Sequence, residues 1–139
     1  MKKLSIFLCV AVSAFLLQAH SCRKHNEAPS ACGDIACTMI FAMVSVEVKS
    51  PNGQAVVLDE YYTIREKDGE KVTSGSSIPT DGTYVVLDDN FISALTNKTE
   101  LFRFIGRKNG VEVVNEVYEI QGDCCHVSKK SGSAVITVP

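Results

Sequence analysis

Six cysteines, and a histidine beside two of them, are the residues of this 139-residue chain whose types and spacing could do chemistry. Cys32 and Cys37 precede the first strand-like segment, while Cys124, Cys125 and His126 are consecutive near the far end. Four thiols and an imidazole could offer zinc or copper(I) a tetrahedral donor set. The spacing runs against it. Cys-x4-Cys with Cys-Cys is not the Cys-x2-Cys knuckle of zinc sites, and no Cys-x-x-Cys is present for thioredoxin-like redox work. Two disulfides joining the N-terminal segment to a late strand are the favoured expectation. Adjacent strand residues point to opposite faces, so Cys124 and Cys125 should reach different partners. Cys32–Cys124 with Cys37–Cys125, the crossed pairing, and a Cys124–Cys125 ring all stay open. Each long bridge would close a loop of roughly 90 residues, contributing about 4–5 kcal/mol for the first and much less for the second.

The remaining cysteines belong to the start of the chain. Lys2 and Lys3 give a positive region, and the largely apolar run from Leu4 to Leu17 follows it. That run suits the hydrophobic region of an export signal and is shorter than the roughly 20 residues of a membrane-spanning helix. Residues 1–21 therefore read as a signal peptide, which removes Cys9. Five cysteines then remain, and an odd number in an exported protein asks for an explanation. Ala19-His20-Ser21-Cys22 supplies one. It departs from Leu-Ala-Gly-Cys, but its Ser-Cys ending resembles the lipoprotein signals of Bacteroidetes-type bacteria. The resemblance implies that Cys22 is the acylated (palmitate-type) first residue of the mature chain, with enough acyl chains for stable anchoring. The alternative is ordinary cleavage after Ser21, small residues standing at Ala19 and Ser21, with Cys22 a spare thiol. Residues 22–31 then form the lipidated cysteine and a polar, flexible tether.

From residue 32 to 139 the pattern is that of one small domain. Val44, Val46 and Val48 alternate with Ser45, Glu47 and Lys49, a half-buried strand in a period-two stretch that begins near Cys37. Met39 to Met43 is apolar on both parities. A second strand is expected over Val56 to Arg65, followed by a turn at Asp68-Gly69 into Lys71-Val72-Thr73, and Ser74 to Pro79 reads as a small-residue loop. Thr83 to Asp88 is a further strand, and Asp88-Asp89-Asn90 can cap a short helix carrying Phe91 and Leu95 one turn apart. Asn109-Gly110 accepts the positive φ values of a type I′ hairpin between Leu101–Arg107 and Val111–Gln121. Cys124–Ser128 and Ser133–Val138 should make a last hairpin around Ser131-Gly132. The expected fold is all-β: an immunoglobulin-like antiparallel β-sandwich of seven to eight strands with at most one short helix.

Two stretches carry a family resemblance. Val44 to Val57 (VSVEVKSPNGQAVV) and Thr80-Asp81-Gly82-Thr83-Tyr84-Val85 resemble carboxypeptidase-regulatory or transthyretin-like domains. The match covers less than half the domain and implies an immunoglobulin-like sandwich; it carries over no functional residue.

Composition narrows the function. Two of the 14 basic residues leave with the leader while all 16 acidic residues remain, so the exported chain is mildly acidic. No basic stripe is interleaved with aromatics, and nucleic acid is not an expected partner. Other candidates have plainer readings. Asp81, Asp88, Asp89 and Asn90 lack the spacing of a calcium loop. Asp59-Glu60 reads as a solvated strand end. Asn97-Lys98-Thr99 is a sequon that a bacterial lipoprotein would usually ignore. Tyr61, Tyr62 and Tyr84 are expected to help fill the core with their hydroxyls at its rim. His126 is the one histidine of the folded part, no Gly-x-Ser-x-Gly elbow exists, and no enzyme is expected. No cofactor is implied. The chain reads as a non-catalytic envelope lipoprotein, a binding or structural module for a protein or glycan partner. Its expected place is the outer membrane facing the periplasm, with the cell surface or secretion as alternatives. Met39, Phe41 and Met43 are the candidate contact segment if they lie on an exposed edge. The alternative function is metal binding or thiol chemistry at Cys32, Cys37, Cys124, Cys125 and His126.

Overall fold

The alternation of Val44, Val46 and Val48 is the seed of the first sheet. In the computed structural model, which describes residues 32–72 and 79–139, these three valines are buried and their neighbours Ser45, Glu47 and Lys49 face outward on strand β1, Met43–Lys49. The segments expected as a leader (1–21) and as Cys22 with its tether (22–31), and most of the loop expected over Ser74–Pro79, lie outside the described residues. β1 lies between β4, Thr83–Asp88, and β8, Val135–Thr137, in a three-stranded sheet. The second sheet has five strands in the order β3 (Lys71–Val72), β2 (Glu60–Arg65), β5 (Lys98–Lys108), β6 (Val111–Gly122) and β7 (Val127–Ser131). The fold is an all-β sandwich.

Its longest element is the β5–β6 ribbon. Asn109 and Gly110 take φ of 51° and 74°, the left-handed values that a type I′ turn requires. Phe102 and Phe104 of β5, with Val114, Tyr118 and Ile120 of β6, point inward against Val46, Val86 and Leu87. Apolar burial of this kind contributes roughly 1.5–3 kcal/mol per large side chain. The expected capped helix is present. Asp88 Oδ1 accepts the Asn90 N–H at 3.0 Å, a 3-10 turn covers Asp89–Phe91, and α1 spans Ile92–Leu95. Leu95 is wholly buried against Gly122, where any Cβ would lie 2.6 Å from the Leu95 carbonyl oxygen.

Four expectations are corrected. The last two strands are not a hairpin: β7 pairs antiparallel with β6, while β8 crosses to the other sheet and runs parallel to β1. Tyr118 explains the crossing. Its ring lies under Gly132, so close that a Cβ there would be 2.3 Å away, and its hydroxyl donates to the Ser133 carbonyl at 2.8 Å. Gly132 has φ of +113°, which glycine alone adopts readily. The second strand begins at Glu60 rather than Val56. The Tyr84 hydroxyl accepts the Leu58 N–H at 2.7 Å and donates to the Val56 carbonyl at 2.9 Å, taking this backbone out of the ladder. The first strand begins at Met43, so Cys37 to Ala42 is irregular. Tyr62 does not fill the core: it lies on the outer face beneath the Lys71 ammonium, 3.9 Å from the ring centre.

Candidate functional site

Asp123 builds the bend that holds the paired cysteines. Its Oδ1 accepts the N–H groups of Cys125 and His126 at 2.6 and 2.7 Å. Those two hydrogen bonds hold its carboxyl below the usual carboxylate range. Cys124 and Cys125 therefore lie in a bend between β6 and β7, not in a strand as their sequence context implied. The bend still sends the two sulfurs apart. Cys32 is bonded to Cys124 and Cys37 to Cys125, with Cα separations of 5.5 and 5.4 Å. This is the uncrossed pairing. Both bridges span long stretches of chain, 92 and 88 residues in sequence separation.

Beside the bridges lies a chain of polar groups that sequence reasoning missed. Asp89, the first residue of the 3-10 turn, accepts three hydrogen bonds. Its Oδ2 takes the Ala42 N–H and the His126 ring nitrogen Nδ1, both at 2.7 Å, and its Oδ1 takes the Val127 N–H at 2.8 Å. Burial pushes the Asp89 carboxyl up, but the hydrogen bonds from Ala42, His126 and Val127 outweigh burial and leave it below the usual range. A carboxylate only accepts, so Nδ1 carries the proton. His126 Nε2 then faces the Thr38 hydroxyl oxygen at 2.9 Å.

A hydroxyl, an imidazole and a carboxylate in this order can activate an oxygen nucleophile. The same atoms also do plainer work. Asp89 ties three segments together: the irregular N-terminal stretch through Ala42, the start of β7 through Val127, and the disulfide bend through His126. The hollow beside the bridges, lined by Ile35, Asn97, Asp123, Cys124 and Cys125, has a volume of about 220 Å³, below the usual range of small-molecule sites. Sequence reasoning took Asp88-Asp89-Asn90 as a helix cap. Asp88 is that cap, and nothing local marks Asp89, whose three partners lie 37 to 47 residues away.

The contact segment is exposed. Met39 is 104% accessible, Ile40 70%, Phe41 51% and Met43 58%, with Ile35 at 57% a few residues before. Residues 39–42 precede the sheet, and only Met43 belongs to β1: it pairs with Asp88 of β4 on one side, while β8 on the other reaches only Glu47–Lys49. Elsewhere the expected carboxylates serve the backbone. Asp81 accepts the Thr83 N–H at 3.0 Å, and Asp59 accepts the Asn109 N–H at the β5–β6 turn. Among the described residues, no cluster of three or more histidine, cysteine or acidic side chains is arranged to hold a metal ion. No helix among them is long and apolar enough to cross a membrane. No family model, curated protein or solved structure matches the chain.

Proposed function

We propose that this protein is a bacterial envelope lipoprotein, anchored through Cys22 in the outer membrane facing the periplasm, whose β-sandwich is a non-catalytic contact module. The observation that supports the reading is the stretch from Ile35 to Met43. It exposes five large apolar side chains, it contains no charged residue, and covalent bonds hold it at Cys37 and just before it at Cys32. Exposed apolar patches on soluble proteins mark interaction surfaces, and a loop fixed by two bridges has its ordering entropy met before it binds. The relation to carboxypeptidase-regulatory or transthyretin-like domains belongs to the same proposal. Fold alone names no ligand.

Intact mass spectrometry of the mature protein, isolated from membranes under native conditions, tests the reading. The expected mass carries acyl groups at Cys22, lies four hydrogens below the reduced polypeptide, and shows no metal adduct. A Cys22→Ala variant is expected in the soluble fraction. A stoichiometric metal with the four thiols reduced would replace this reading with the metal-handling alternative at Cys32, Cys37, Cys124, Cys125 and His126.

The Thr38–His126–Asp89 geometry favours one second reading, acyl transfer with the Thr38 hydroxyl as nucleophile. Turnover of activated esters by the native protein, lost in Thr38→Ala and retained in Thr38→Ser, would establish it. Equal background rates in all three proteins would leave the chain of hydrogen bonds its structural work alone.

A further inference from the structure

We infer that the Ile35–Met43 loop seats on the lipid bilayer itself, as a second membrane contact beside the acyl anchor; this rests on the acylation of Cys22 proposed above. Reach points there first. Cys32 stands ten residues after Cys22, so even fully extended that stretch spans at most about 35 Å. Cys32 is bonded to the body of the domain through Cys124, which makes the bridged end the end nearest the anchor. The apolar loop begins three residues later. The tether therefore joins the domain beside its apolar loop, within reach of the bilayer.

The chemistry of the loop agrees. Ile35, Met39, Ile40, Phe41 and Met43 are exposed, and no Asp, Glu, Lys or Arg stands among residues 35 to 43. Interfacial binding grows with the apolar area that leaves water. The backbone of residues 35–42 belongs to neither sheet nor helix, and unpaired backbone groups are not tolerated in hydrocarbon. The loop therefore lies at the headgroup boundary with its side chains directed into the acyl region. Local concentration favours the bilayer over other occupants. A short tether turns the second contact into an intramolecular one at an effective concentration of order millimolar. A weak apolar insertion then suffices, whereas a protein partner or a second copy must arrive by diffusion.

The chain contains no tryptophan, which gives a clean test. Phe41→Trp and, separately, Met39→Trp are made in the full acylated protein, with Val111→Trp at the exposed β5–β6 turn as the reference. Each is reconstituted in vesicles of phosphatidylethanolamine and phosphatidylglycerol, with and without brominated phosphatidylcholine. The two loop variants should emit at shorter wavelength than the reference and be quenched by the brominated lipid, while the reference stays unquenched. Emission and quenching equal in all three variants would overturn the inference. A shift that persists in detergent without lipid and grows with protein concentration would overturn it in favour of a second copy. The mass at Cys22 separates the two readings. Acylated protein whose loop tryptophans stay unquenched removes the bilayer contact and leaves the anchor, whereas protein without acyl groups removes both.

Discussion

The outer face of the five-stranded sheet and the Ile35–Met43 loop both look onto solvent, and they are built from opposite materials. The sheet face is covered with ion pairs. Arg103 Nε meets Glu66 at 2.6 Å and its Nη1 reaches Asn115 at 2.7 Å. Lys71 and Arg107 flank Glu60 at 3.7 and 3.6 Å. Arg65, by contrast, is largely buried at the end of the sheet, where it pairs with the equally buried Glu100 at 3.1 Å, reaches Asp68 and Glu70, and lies over the Phe91 ring at 4.7 Å. The Arg103, Glu66, Lys71, Glu60 and Arg107 groups are content in water, and the ladder beneath them fixes the backbone. Residues 35–42 of the loop have neither a ladder nor charges. Its position comes from two covalent bonds and the hydrogen bonds around Asp89. Water would not hold such a segment extended from the core, so the clamps do what the sheet does elsewhere.

Removing the clamps should therefore have the largest effect. Replacing Cys124 and Cys125 by serine is expected to cost about 4–5 kcal/mol in urea unfolding, most of it from the first loop closed. Hydrogen exchange should show the loss of order concentrated in residues 32–42, with the β5–β6 ribbon still protected. Uniform loss of protection would mean that the bridges support the whole sandwich, sheet and loop alike.

Asp89→Asn comes next. It keeps the shape but removes the charge that the His126 ring and two backbone N–H groups share, and hydrogen bonds to a charged group are each worth about 1.5–3 kcal/mol. A loss of about 2–3 kcal/mol is expected at neutral pH on that scale. The pH dependence has a definite sign. The folded-state carboxyl titrates below its unfolded value, so its contribution is complete above the unfolded pKa of about 4. It is lost as pH falls through the folded value. Wild type and Asp89→Asn should thus converge in stability on acidification. A constant gap down to strongly acid pH would show that the cost comes from packing and not from charge.

How far the sequence foretold this contrast depends on the range of the interaction. Alternation at Val44 to Val48, the Asn109-Gly110 turn and the Asp88 cap are local, and each stands where its residues placed it. The four cysteines were legible as partners, because their spacing fits neither the Cys-x2-Cys knuckle of metal sites nor the Cys-x-x-Cys of redox work. Their pairing was not, since it depends on the bend that Asp123 imposes. Asp89 was legible only as a turn residue, as its partners come from three separate stretches of chain. The switch of β8 to the other sheet was hidden for a like reason. It follows from the Tyr118 ring meeting Gly132, a contact between distant stretches of chain, whereas Ser131-Gly132 taken alone reads as an ordinary hairpin turn.

On the charged face the expected effects are small. Glu66→Ala or Arg103→Ala should each cost less than about 1 kcal/mol, because both side chains are about one-third exposed and such pairs contribute little in water. The loss should shrink further in high salt, where screening reaches exposed charges. A larger, salt-independent cost in denaturant titrations would make the pairs structural and bring this face closer in kind to the clamped loop.

The smallest effect on stability is expected where the most apolar surface is removed. Changing Met39, Ile40 and Phe41 together to serine deletes three large side chains. In the core, at Phe102 or Phe104, one such truncation would cost about 3–5 kcal/mol. In the loop the side chains are exposed before and after unfolding, so little transfer free energy is at stake, and the triple variant should unfold within about 0.5 kcal/mol of wild type. Thermal and urea unfolding of the two proteins measure this directly. A loss of several kcal/mol would mean that the loop packs against its own domain and has no surface to spare for a partner. Near-equal stability would mean that these residues do nothing for the fold, and that the covalent clamps hold them in place for something outside it.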